Sequence, residues 1–233
     1  MLTSLTSGVP VILSGDAKMP DIRKTICITG HRDDKMPVYK CDKRYRELTI
    51  AAVRLMIYRY IDMAEEAGYE NFLCGLASGT DVWAGSYIVR KRQNGKKIRL
   101  FGVMPYLRHA ERFSAANLAL LNSIEREAEF VTVTNSNPDI VYAFGENSDA
   151  ASGSLYRDRN YFMVDNSSAA IAFLNAGERS GTWQTVRYAC RTGRKVKSFS
   201  STDIFHIIDI CNGDLNAVGH YIAGLENAFD SLF

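Results

Sequence analysis

Nowhere do two of the five cysteines (Cys27, Cys41, Cys74, Cys190, Cys211) form a C-x-x-C pair, and their number is odd. Neither a disulfide framework nor a zinc centre is indicated; reduced, mostly buried thiols in a cytoplasmic protein are the expectation. The four histidines (His31, His109, His206, His220) show no metal-ligand spacing, so no metal site is predicted. A surplus of charge is missing as well: 28 Lys and Arg stand against 26 Asp and Glu, a net charge of +2. Such a balance argues against nucleic acid or an acidic membrane surface as partner. There is no basic-then-apolar leader and no apolar run of membrane-spanning length. Internal repeats and low-complexity segments are absent too.

What is present is a hydrophobic content of 46% over 233 residues, ample for a buried core. Short apolar runs alternate with helical periodicities. Residues 1–24 form an N-terminal arm whose apolar run, Val9 to Leu13, reads as an edge strand, a hairpin or a loose segment. Thr25 to Thr29, Asn71 to Cys74, Ile98 to Val103, Phe130 to Val133, Ala169 to Phe173 and Lys195 to Phe199 read as strands. Helices are predicted between them over 43–67, 82–93, 109–128, 154–165 and 182–191, from apolar residues three and four apart. Asn135 to Gly153 reads as a long loop that orders over a ligand. Strands that are continuous apolar runs, separated by helices, predict an α/β fold: a Rossmann-like parallel sheet with helices on both faces. That domain spans 25–200, and two amphipathic patterns over 201–233 predict a C-terminal helical extension that packs on the domain or makes an oligomer contact.

In such sheets ligands bind beyond the carboxyl ends of the strands. The residues that follow the strands are therefore the candidate site. Gly30, His31 and Arg32 follow the first strand of the domain, and His31 can donate to a ligand or act as an acid or base. Gly75, Ser78, Gly79 and Asp81 follow the next; glycines let backbone approach a ligand closely, although a plain turn needs them as well. Tyr106 closes the third. Arg159 and Asn160 precede the strand Ala169 to Phe173, and a guanidinium there can fork onto a phosphate or sit on the surface. Gly177, Ser180, Gly181 and Thr182 open the last helix of the domain, where free N–H groups can hold an anion or simply be capped. The basic runs Lys91 to Lys97 and Arg191 to Lys197 read as solvated helix ends.

Four segments in order, ITGHR (Ile28 to Arg32), CGLASGTDVWA (Cys74 to Ala84), RNYFMVDNSSAAIAF (Arg159 to Phe173) and SGTWQTVRYA (Ser180 to Ala189), resemble the YpsA-like branch of the SLOG superfamily. The Lonely Guy phosphoribohydrolases and DprA are more distantly similar. The resemblance covers about residues 25–199 and implies a Rossmann-like domain that binds nucleotides or nucleotide-derived molecules; no further cofactor is expected, and a homo-oligomer is. Relatives occur in bacteria, phages and prophages, where SLOG domains are associated with sensing or processing nucleotide signals in host–virus conflict. In the Lonely Guy enzymes an arginine, matched here by Arg159, and a glutamate after P-G-G-x-G-T carry N-glycosidic cleavage. The glutamate's place is taken by Thr185, and P-G-G by Asn175-Ala176-Gly177 with an insertion before Gly181. Threonine is no general acid or base near neutral pH. The expectation is therefore capture of a phosphate-containing ligand of the ADP-ribose or cyclic-nucleotide type. The alternative is hydrolysis, with Arg159 and Glu178 as its candidate catalytic residues.

Overall fold

The computed structural model describes residues 2–134 and 149–226, without the side chains of 149–153. Its strands are β1 (Leu2–Thr3), β2 (Pro10–Leu13), β3 (Thr25–Thr29), β4 (Asn71–Cys74), β5 (Arg99–Met104), β6 (Phe130–Val133), β7 (Ala169–Leu174) and β8 (Lys195–Ser200). The helices are α1 (Arg46–Glu66), α2 (Thr80–Gln93), α3 (Ala115–Glu127), α4 (Asp149–Asp165), α5 (Gly181–Arg191), α6 (Ser201–Ile210) and α7 (Leu215–Ala223). One sheet runs in the order β1-β2-β6-β5-β4-β3-β7-β8, parallel throughout except for the antiparallel β1–β2 hairpin. The α/β Rossmann-like architecture read from the sequence is therefore the architecture of the chain.

Alternation of side chains along each strand divides the core in two. Ile26, Ile28, Phe72, Leu100, Val131, Ile171 and Phe173 pack with α1, α2, α3, α6 and α7 on one face. Cys27, Leu73, Phe101, Val103 and Ala170 meet Met163 and Val164 of α4 and Ala189 of α5 on the other. Burial on both faces explains why the central strands are unbroken apolar runs. The outer strand β8 alternates instead, its exposed Lys195 and Ser198 flanking buried Lys197 and Phe199. Two thiols in the sheet, Cys27 and Cys74, are buried, which pushes them up to about 11 and about 12. Cys41 and Cys190 are exposed and Cys211 half-buried, so mostly buried thiols is a correct description of the sheet alone.

Val9 to Leu13 supplies β2, which lies parallel to β6 with Ile12 opposite Thr132. The hairpin turn is fastened to α3: the Ser4 and Ser7 hydroxyls donate to Glu125 at 2.5 and 2.6 Å. Burial pushes the Glu125 carboxyl above its ordinary range, with the two serines opposing. The two C-terminal patterns form α6, held by a reciprocal Ser200–Asp203 capping box, and α7; both bury their apolar faces on the α1 side.

Two helix starts differ from the expectation by more than one turn. The helix predicted over 109–128 begins at Ala115, where the Ser114 hydroxyl accepts the Asn117 N–H at 3.3 Å. Residues 106–113 make successive tight turns instead, because the buried His109 ring is bracketed by the carbonyls of Tyr106 (3.0 Å) and Leu76 (3.2 Å). The helix predicted from Ser154 starts at Asp149. The rest of the expected ligand-covering loop, residues 135–148, lies outside the described residues.

Candidate functional site

Strand order reverses at β3. The chain leaves β3 through α1 toward β4 and β5, and returns through α4 to β7 on the opposite side. Loops after β3 and β7 therefore diverge, and a crevice opens at the carboxyl edge. A cavity of about 670 Å³ lies there, walled by the segments after β3, β4 and β5, by α4 and by the start of α5. From β5 to β7 it spans three strand spacings, about 14 Å.

Five of the predicted residues line it: Arg32, Ser78, Tyr106, Asn160 and Gly181. Arg32 is exposed, and its guanidinium lies 4.6 Å from the centroid of the Tyr156 ring. Asn160 is buried and donates from Nδ2 to the Thr185 hydroxyl at 2.9 Å, which itself donates to the Gly181 carbonyl at 2.8 Å. Thr185, at the place of the relatives' glutamate, is thus a tie between α4 and the first turn of α5. Ser180 caps that helix by accepting the Trp183 N–H at 3.2 Å. The Gln184 N–H goes to the Ser180 carbonyl, so Gly181 and Thr182 are left as the open donors of the turn. Nothing among the described residues stands within 4 Å of a Cβ placed on Gly181 or on Gly177.

The remaining predicted residues are not part of this lining. Arg159 is 4% exposed and is neither a surface residue nor a wall of the cavity. Its Nη1 donates to the Gly75 carbonyl and lies 3.5 Å from both the Asp81 Oδ2 and the Val103 carbonyl. The expected phosphate fork is therefore corrected by position: the guanidinium is engaged by the protein. Burial pushes the Asp81 carboxyl upward, and Arg159, the Ala77 N–H (3.2 Å) and Arg32 oppose the shift. A side chain on Gly75 would overlap Arg159 and Asp81, and one on Gly30 would overlap Thr80. Gly79, at φ +79°, packs so closely that a Cβ would come within 2.5 Å of the Asp33 nitrogen and 2.7 Å of the His31 carbonyl oxygen. These three glycines let chain approach chain.

His31 is buried against Phe173, ring centroids 6.0 Å apart, and burial lowers its pKa while Glu178 opposes the shift. Glu178 is exposed, accepts from the Asn175 Nδ2 at 3.1 Å and lies outside the cavity lining. That position does not support the catalytic part expected for it.

Sequence reasoning missed most of the wall. Tyr156 and Arg157 come from α4; Arg108, His109, Glu111, Arg112 and Phe113 come from the turns after β5. Arg108 pairs with Glu111 and Arg157 with Asp158, whereas Arg32 and Arg112 have no carboxylate partner among the described residues. Burial and Arg159 hold His109 down to about 4, so it is neutral at pH 7. Burial and the neighbouring Tyr156 push the Tyr106 phenol upward. The signal was present in Arg108-x-x-x-Arg112-Phe113, a charged and aromatic cluster directly after a strand, but helical spacing masked it. The Lys91 to Lys97 run is not a free cationic surface either. Lys91 is clasped by Asp62 and Glu65, and Lys96 meets Glu65 at 3.2 Å.

The YpsA model, described as the YspA SLOG family, matches residues 26–206. The chain is 21% identical over 150 residues to a UPF0398 protein of Macrococcus caseolyticus, covering 64% of this chain and 73% of the relative. It is 19% identical over 149 residues to a UPF0398 protein of Bacillus pumilus, covering 64% and 72%. Among solved structures it is similar to DNA processing protein A (DprA) of Streptococcus pneumoniae, at a TM-score of 0.45 and 17% identity over 91% of this chain and 62% of that one. No helix among the described residues is long and apolar enough to cross a membrane.

Proposed function

We propose that this chain, which belongs to the YspA SLOG family, binds a phosphate-containing, nucleotide-derived small molecule in the cavity at the carboxyl edge of its sheet. The observation that carries the reading is the meeting, in one 670 Å³ cavity, of Arg32 and Arg112, which have no carboxylate partner among the described residues, with the open first turn of α5. Cationic side chains and free N–H groups are the chemistry that holds phosphate oxygens. Asn160 and Ser78 offer hydrogen bonds to a sugar, and the volume falls within the range of small-molecule sites. An ADP-ribose-type or cyclic-nucleotide signal has the right components. Sequestering or sensing such a signal, as in host–phage conflict, is the setting this capture fits.

Capture is favoured over turnover because Thr185 ties two helices together and Glu178 lies outside the cavity. Native mass spectrometry of the purified protein with ADP-ribose, mononucleotides and cyclic nucleotides tests the reading and also reads the oligomeric state. A stoichiometric adduct with an intact ligand, weakened tenfold or more in Arg112→Ala, is expected. Absence of any adduct overturns the reading, and release of free base or ribose phosphate transfers it to the hydrolase class.

A further inference from the structure

We infer that Tyr156 is the platform on which the planar base of the ligand stacks, and that Arg32 covers this platform until the ligand displaces it; the inference rests on the nucleotide reading of the cavity. Tyr156 is half-buried on α4, three residues before Arg159, and lines the cavity. Its ring is steadied from inside the protein. The buried Arg159 guanidinium lies 5.5 Å from its centroid, and Tyr106 packs edge-on at 6.1 Å and 79°. The exposed Arg32 guanidinium stands 4.6 Å from the same centroid.

The other aromatic rings of the wall are turned toward one another. Tyr106 and His109 meet at 87°, and His109 and Phe113 at 89°. Tyr156 differs because what covers it is a planar, delocalised cation on a long exposed side chain without a carboxylate partner among the described residues. A nucleobase is the planar ligand group that can take that place by stacking on the ring. An exposed cation–π contact is weak, so displacement is easy, and the released guanidinium stays beside the cavity as a partner for the ligand's phosphate. The site then selects nucleoside phosphates over sugar phosphates. Tyr156 supplies the selectivity and Arg32 exchanges one role for another.

Isothermal titration of the full chain with adenosine 5′-monophosphate, ribose 5-phosphate and adenosine tests this in wild type, Tyr156→Phe, Tyr156→Ala and Arg32→Ala. Wild type and Tyr156→Phe are expected to prefer the nucleotide over the sugar phosphate by tenfold or more, and Tyr156→Ala to lose that preference. Arg32→Ala, an exposed change that leaves folding intact, is expected to weaken the nucleotide yet strengthen adenosine roughly two- to fivefold, the worth of the displaced contact. Equal binding of nucleotide and sugar phosphate by wild type leaves the cavity reading standing and overturns the platform. So does weaker adenosine binding by Arg32→Ala, which also decides the matter if Tyr156→Ala does not fold. Failure of wild type to bind any of the three overturns the cavity reading, and the platform with it.

Discussion

Two glycine-bearing turns leave the same edge of the sheet, Gly75 to Asp81 after β4 and Asn175 to Thr182 after β7, and they differ in what they face. The first is closed on the protein: Gly75 makes room for Arg159 and Asp81, Gly79 for the backbone of 31–33, and the Thr80 N–H and hydroxyl are taken by the His31 carbonyl at 3.2 and 3.0 Å. The second is open: among the described residues space surrounds Gly177 and Gly181, and the Gly181 and Thr182 N–H groups have no protein acceptor. A glycine after a strand signals close approach, and tertiary structure decides whether the approaching group is chain or ligand. Here one turn is foundation apart from Ser78, which reaches the cavity wall, and the other is open at its helix start.

Substitutions separate the two turns, beginning with the largest effect. Arg159→Ala leaves Asp81 buried without its counter-charge and is expected to destabilise the fold by about 3–5 kcal/mol in chemical denaturation; a change below 1 kcal/mol would mean that the pair is not a foundation. Beside the same turn, His109 is held at about 4 against an ordinary value of 6.5. A folded pKa below the unfolded one means that the stabilisation is full above 6.5 and is lost as pH falls through 6.5 toward 4. The expected loss is about 3 kcal/mol, and thermal melts of His109→Gln should lack that slope. Gly79→Ala adds a side chain at φ +79° against backbone and should lower stability by about 2 kcal/mol.

In the open turn the effects shrink and move to binding. Ser180→Ala removes the cap of α5 and should cost about 1 kcal/mol. Gly181→Ala should stay within about 0.5 kcal/mol of wild type while weakening the nucleotide, since its new methyl points into unoccupied space beside the donors. Equal stability losses in Gly79→Ala and Gly181→Ala would erase the distinction.

The sheet was legible because its central strands are buried on both faces. Thr25 to Thr29 and Ala169 to Leu174 therefore carry no polar interruption beyond threonine. The stretch 109–114 was not, since Phe113, Ala116 and Leu120 keep helical spacing, and only the distant Leu76 carbonyl shows why His109 leaves the helix. Site residues after strands were legible as positions, but their partners were not. Arg159 and Asp81 are 78 positions apart, and no local pattern joins them. Tyr156 lay hidden inside a helix, where an aromatic residue most often belongs to the core.

The pairing of β2 with β6 has a consequence for how the molecule is made. Ile12 meets Thr132 only after some 120 further residues have been synthesised, an interval of about 6 to 24 s at ordinary elongation rates. Through that interval β2 has no neighbour on its β6 side, and its apolar run is open to pairing with another chain. This edge of the sheet is thus closed only once β6 has been made, and Glu125, which accepts from Ser4 and Ser7, is the clasp that fastens it.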